Sequence, residues 1–164
     1  MNTIKLRPII TAEEKNTFVS EIQEAFQISY VSEFGEFEKQ VLPAEDIEES
    51  FNAKGAEAYI AEIGGERIGG TVIVIDDKTG YNSLHLLYVK TGVQNTGNGF
   101  KIWKAIEELH PETRVWETHT PYYDKRNIHF YVNRCGFKIV EFFNPKHKDP
   151  HQIGETAGNI PKEN

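Results

Sequence analysis

Cross-linking is closed to this chain: it carries one cysteine, Cys135, in 164 residues, so no internal disulfide can form. A reducing, cytoplasmic home is the natural expectation. Long apolar runs are missing as well. None approaches the roughly 20 residues needed to span a bilayer. The opening Met1-Asn2-Thr3-Ile4-Lys5-Leu6-Arg7-Pro8 lacks the unbroken apolar stretch of a signal peptide. A soluble protein with no membrane partner is expected. Positive charge is scarce, with 18 Lys and Arg against 25 Asp and Glu and a net charge of −7. That balance argues against nucleic acid, whose phosphates are bound by Lys/Arg stripes. The six histidines show no ligand spacing, so no metal is expected. Internal repeats are absent.

What remains is an ordinary globular balance, 38% hydrophobic and 26% charged. A chain of this length buries roughly 70% of its unfolded surface and needs no staple. The acidity is uneven: Glu33, Glu36, Glu38, Glu45, Asp46, Glu48 and Glu49 crowd together with only Lys39 among them. Such a run is either a solvated helix face or a negative rim that steers a cationic amine.

Ile4 to Ile9 alternates and predicts a first strand. Thr11 and Glu14 form a capping-box pattern, and Phe18, Ile22, Ala25 and Phe26 carry the helix to about Ser29. Residues 44 to 53 predict a second short helix. Ala58–Ile63 and Ile68–Ile75 read as a hairpin across Gly64-Gly65. Gly69-Gly70 within it signals a bulge or close backbone approach. Leu84–Val89 is the next strand. A helical face then runs through Phe100, Trp103, Ile106 and Leu109 to Pro111, followed by a short strand over 114–118. A helix from Asp124 to Asn133 and a last strand, Phe137–Phe143, complete the order. Residues 1–143 read as one domain and 144–164 as a loosely packed tail. Strands and helices alternating in this way imply a mixed α/β sheet with helices on both faces.

The informative stretch is Tyr88-Val89-Lys90-Thr91-Gly92-Val93-Gln94-Asn95-Thr96-Gly97-Asn98-Gly99-Phe100. It sets a loop of small and polar residues between a strand and a helix N-terminus. Unpaired N–H groups and partial positive charge at such an end hold a pyrophosphate. Gly97 and Gly99 let the backbone approach it. Local donors of this kind allow an acidic protein to bind an anion. No Gly-Lys-Ser/Thr follows, so this is no Walker loop, and it is too late and too poor in glycine for a dinucleotide fingerprint.

Gln94-Asn95-Thr96-Gly97-Asn98-Gly99 resembles the Gln/Arg-X-X-Gly-X-Gly/Ala signature of the GNAT N-acetyltransferases, five residues after Val89. Asn127-Ile128-His129-Phe130-Tyr131-Val132-Asn133-Arg134-Cys135-Gly136-Phe137 resembles that family's second motif, and Ile4–Pro8 its usual first strand. The likeness covers residues 4 to about 143. It implies the acyl-CoA N-acyltransferase fold, a mixed, mostly antiparallel sheet with helices on both faces. Two residues depart from the pattern. Asn98 stands where an aliphatic is usual, and Thr96 where a basic residue is common. Both bear on cofactor affinity rather than on fold.

The resemblance implies acetyl-CoA as cosubstrate, with the strand around Leu87, Tyr88 and Val89 pairing with its pantetheine arm through Leu87 and Val89. Amides of Gln94, Asn95, Thr96, Gly97, Asn98 and Gly99 would hold the pyrophosphate, and Asn127 would hydrogen-bond the cofactor. It places a tyrosine, Tyr131, near the thioester sulfur as general acid, with Tyr122, Tyr123 and Tyr88 as weaker rivals. A lysine-like ammonium costs roughly 4.6 kcal/mol to deprotonate at pH 7, so a base matters at least as much. His85, expected to share a side with Leu87 and Val89, is the first candidate. Glu117 and His119 come next. Cys135 precedes Gly136 at a helix end, where a thiolate is not favoured, so no covalent acyl-enzyme is expected. The expected activity is acetyl transfer to a primary amine of a small cationic acceptor. The alternative is a catalytically silent acyl-CoA-binding module. Phe142 and Phe143 on the last strand are consistent with a homodimer.

Overall fold

A computed structural model describes residues 3–36, 39–93, 97–120 and 124–139. Contacts divide the chain into two compact units, 1–118 and 119–164. The first holds strands β1 (Ile4–Pro8), β2 (Ala56–Ile63), β3 (Glu66–Val74), β4 (Tyr81–Val89) and β5 (Val115–Thr118), with helices α1 (Ala12–Phe34), α2 (Ala44–Asn52) and α3 (Asn98–Leu109). Strand order follows chain order, antiparallel throughout except for the parallel pair β4–β5. Short turns join β2 to β3 and β3 to β4, while α1 and α2 lie between β1 and β2. The parallel pair requires a crossover, which α3 supplies.

Helices cover both faces of this sheet. Phe18 and Ile22 of α1 and Ile47 of α2 pack with Val72, Leu86 and Tyr88 in one buried cluster. On the opposite face, a Cβ on Gly69 would come within 3.2 Å of Ile102 Cδ1 of α3. The neighbouring Gly70 faces Phe18 instead, as alternation along a strand requires. Trp103 of α3 meets Trp116 of β5 edge-on, with centroids 5.3 Å apart.

The Gly69-Gly70 expectation resolves into both of its readings. Register shifts between Ala61 and Glu62, leaving Ile68 as the extra residue of a bulge. The glycines permit the close approach of Tyr88 O and of the Phe18 ring. The first helix runs past Ser29 to Phe34, because Tyr30 and Phe34 continue its apolar positions. Only Gly35, at φ 89°, turns the chain out. In α3 the buried stripe is Ile102, Trp103 and Ile106, while Leu109 is exposed. That helix closes on His110, one residue before Pro111, as the restriction on pre-proline residues favours.

In the second unit, α4 (Lys125–His129) is capped by Asp124 and passes into a π-helical segment, Phe130–Arg134. The continuous helix expected there is therefore wound more loosely in its second half. Residues 137–139 are not strand. The rest of the expected last strand, 140–143 with Phe142 and Phe143, lies outside the described residues, as does the tail from 144.

Candidate active site

β4 is nine residues long and its parallel partner β5 only four, so their pairing stops at Leu84↔Thr118. Residues 85–89 run on beyond it. Lys90 N donates to Ile68 O at 2.8 Å, and Tyr88 O faces β3 closely enough to collide with a Cβ on Gly69. Alternation of main-chain polarity then directs the N–H and C=O of Leu87 and Val89 to the side away from β3. That is the side on which β5 has ended, so the main chain of Leu87 could pair with an extended acyl chain as a strand does.

From this edge the chain enters the loop. Gly97 is the N-cap of α3 at φ 75°, ψ 12°, and a Cβ built on it meets nothing within 4 Å. An exposed, left-handed residue at a helix N-terminus, with open space before it, suits an anion cradle. Gly99 sits in the first turn of α3. Asn98 turns inward: it is buried, and its Nδ2 donates to Val93 O at 3.0 Å. Gln94, Asn95 and Thr96 lie outside the described residues.

Tyr88 does not serve the edge directly. Its hydroxyl donates to Glu21 at 2.7 Å, its ring meets Phe18 edge-on at 5.0 Å, and its main chain pairs with Gly70. Burial, helped by the Glu21 carboxylate, pushes the phenol far above its ordinary range, which unsuits it as an acid. Arg67 and Lys90 also reach Glu21, at 3.1 and 3.8 Å. This clasp ties α1 to the ends of β3 and β4, and nothing in the local sequence around Glu21 announces it.

His85 is exposed and sits in a second bulge. Val72 pairs with Leu86 and Ile73 with Leu84, leaving His85 as the extra residue. The expected parity with Leu87 and Val89 fails at this point. The ring instead reaches α2, with Nδ1 3.4 Å from Ser50 Oγ, on the face of Leu86 and Tyr88. Ser50 was not legible in advance, being 35 residues away. On α2, Glu48 pairs with Lys15 at 2.8 Å. Burial, then Glu49 and Glu45, raise the Asp46 carboxyl above its ordinary value. Glu117 lies exposed on β5 opposite Ser83. A surface depression lined by Asp76, Asp77, Thr79 and Arg114 lies at the start of β4, apart from every residue predicted for the site.

In the second unit, Asn127 occupies the first turn of α4, with its main-chain N–H donating to Asp124 Oδ1 at 3.1 Å. Tyr131 is buried in the π-helical segment, beside Phe130 and edge-on to Phe137 at 5.6 Å. Phe137 N closes the turn on Tyr131 O at 2.9 Å. His119 is exposed. Tyr122 and Tyr123 lie outside the described residues.

The acetyltransferase (GNAT) family profile matches residues 19–137. The uncharacterized protein YrkN of Bacillus subtilis (strain 168) is 48% identical over 135 residues, 82% of this chain and 73% of that protein. A GNAT family acetyltransferase from Elizabethkingia anophelis, solved with acetyl-CoA bound, is similar in fold, with TM-score 0.65 at 17% identity over 96% of this chain and 92% of that one. So is the aminoglycoside acetyltransferase meta-AAC0020 from an uncultured soil metagenomic sample, solved with sisomicin. Its TM-score is 0.51 at 17% identity, over 86% of this chain and 95% of that one.

Proposed function

The chain belongs to the acetyltransferase (GNAT) family, and from that premise we propose that it moves the acetyl group of acetyl-CoA to a primary amine of a small cationic acceptor by direct attack. The observation that carries this is the end of β4. Leu87 aims its main-chain polar groups away from β3 beyond the last β5 pair, and the same strand leads to Gly97 at the start of α3. One continuous segment thus offers a strand edge for the pantetheine arm and helix-end donors for the pyrophosphate. The acetyltransferase domain is taken as 1–143, in a cytoplasmic protein.

His85 is the proposed base, with Glu117 as its rival. The bulge brings His85 to Ser50 of α2, the helix that also carries Asp46 and Glu49. Among the described residues neither of these two carboxylates forms an ion pair, in contrast to Glu48, which supports their attracting an ammonium group. That a structure of similar fold is an aminoglycoside acetyltransferase supports an amine-bearing small molecule as acceptor. Tyr131 is assigned as the acid on the family pattern. Tyr131→Phe is expected to lower kcat about 10²-fold, the range for one proton-transfer group, in a thiol-release assay. A silent substitution would move the role to water or another tyrosine.

Calorimetric titration with acetyl-CoA, followed by thiol release across polyamines, aminoglycosides and amino-acid amides, tests the whole reading. Binding with turnover on cationic amines is the expected outcome. Binding without turnover on any amine would leave an acyl-CoA-binding module, and absence of binding would overturn the cofactor assignment.

A further inference from the structure

We infer that Asn98 is a positioning residue for the cofactor site, a side-chain latch that ties Val93 to the first turn of α3. The inference rests on the acetyl-CoA reading above. Asn98 occupies a position where the resemblance leads one to expect an aliphatic side chain, yet the residue is only 7% exposed. A buried carboxamide is costly unless bonded, and this one is bonded. Its Nδ2 donates to Val93 O at 3.0 Å. The acceptor is a carbonyl, so the side-chain atom facing it must be the NH₂ group, and the orientation of the amide is fixed by chemistry.

The bond ties together the two described ends of the loop. Val93 N donates to Lys90 O at 3.2 Å, which links that end to β4. Lys101 N donates to Gly97 O at 3.1 Å, which anchors the other end in the first turn of α3. Between them the Asn98 latch is the cross-strap, and Gly97 at its left-handed φ lies next to it, facing open space. An aliphatic residue at 98 could fill the same volume but could not hold the Val93 carbonyl. Ends already tied together before the ligand arrives lose less entropy on binding, which is where the gain in affinity originates. The departure at position 98 therefore serves the site rather than weakening it.

Asn98→Leu, similar in size and without a donor, tests this beside Asn98→Asp, which keeps shape and acceptor but removes the NH₂. Both are titrated with acetyl-CoA and with S-acetylpantetheine, which lacks the pyrophosphate. The latch predicts acetyl-CoA bound roughly fivefold more weakly by Asn98→Leu, the equivalent of about 1 kcal/mol for one hydrogen bond. S-Acetylpantetheine, which does not reach the loop with a pyrophosphate, should bind with wild-type affinity. Equal losses for both ligands, or wild-type affinity for acetyl-CoA, would overturn it. Proton exchange of the Asn98 carboxamide in the ligand-free protein is the second measurement. Slow exchange supports the latch and solvent-like exchange refutes it, even if wild-type protein binds no acetyl-CoA and the cofactor reading falls.

Discussion

At the scale of single residues, Gly97 carries the sharpest expectation. Its φ of 75° strains any L side chain, by about 1–2 kcal/mol for most residues. Among the described residues, no atom beyond its chain neighbours lies within 4 Å of a Cβ placed there. Strain and obstruction can therefore be separated by choice of substituent. Gly97→Asn, which tolerates left-handed backbone, should melt close to wild type yet bind acetyl-CoA at least about tenfold more weakly. Gly97→Val should lose both stability and binding. If the asparagine variant kept full affinity by calorimetry, the space before Gly97 would not be where the phosphates sit. Glycine spacing in the sequence pointed to this residue. The left-handed conformation and the open space came only from the fold.

At the scale of elements, the contact between β3 and β4 depends on a missing side chain. A Cβ on Gly69 would stand 2.2 Å from Tyr88 O, a backbone atom in a paired strand that cannot easily give way. Gly69→Ala should destabilise by about 1–3 kcal/mol, a drop of several degrees in Tm at roughly 2–4 °C per kcal/mol. A thermal melt unchanged from wild type would show that the strands are free to separate locally. The start of α1 gives a pH-dependent case. Glu14 is held down to about 2 by its hydrogen bond from Arg7, then by the N–H groups of Ile10 and Thr11. A folded-state value below the ordinary 4.5 means that the stabilisation is complete above that value and is lost as pH falls toward 2. Glu14→Gln keeps the capping geometry and removes the charge. The Tm difference between it and wild type should be constant at neutral pH and shrink between about pH 4.5 and 2. A difference independent of pH would remove the ion pair from the account.

At the scale of the whole molecule, the net charge of −7 is compatible with an anionic cofactor only if binding is local, through backbone donors. The same acidity favours cationic acceptors from a distance. Replacing Asp46 and Glu49 together by Asn and Gln should raise KM for a polyamine acceptor several-fold and flatten its dependence on ionic strength, since exposed charges are screened over about 8 Å at physiological salt. KM for acetyl-CoA should not move. Equal salt dependence in variant and wild type would show that α2 plays no part in acceptor attraction.

What depends on neighbours along the chain was legible in the residues alone. The capping box at Thr11 and Glu14, the hairpin turn at Gly64-Gly65 and the helix after the glycine loop all arise from local hydrogen bonding and periodicity, and all stand where they were expected. The family followed from the spacing of a short motif, which chain order preserves. What depends on pairing across distance emerged only with folding. A bulge needs two strands to be defined, so the side on which His85 emerges could not be read from alternation along one of them. The engagement of Tyr88 by Glu21 and the approach of Ser50 to His85 join residues separated by 67 and 35 positions. The role of Asn98 follows the same logic. Its place in the motif marked only a departure, while burial and the Val93 carbonyl turned that departure into a bond.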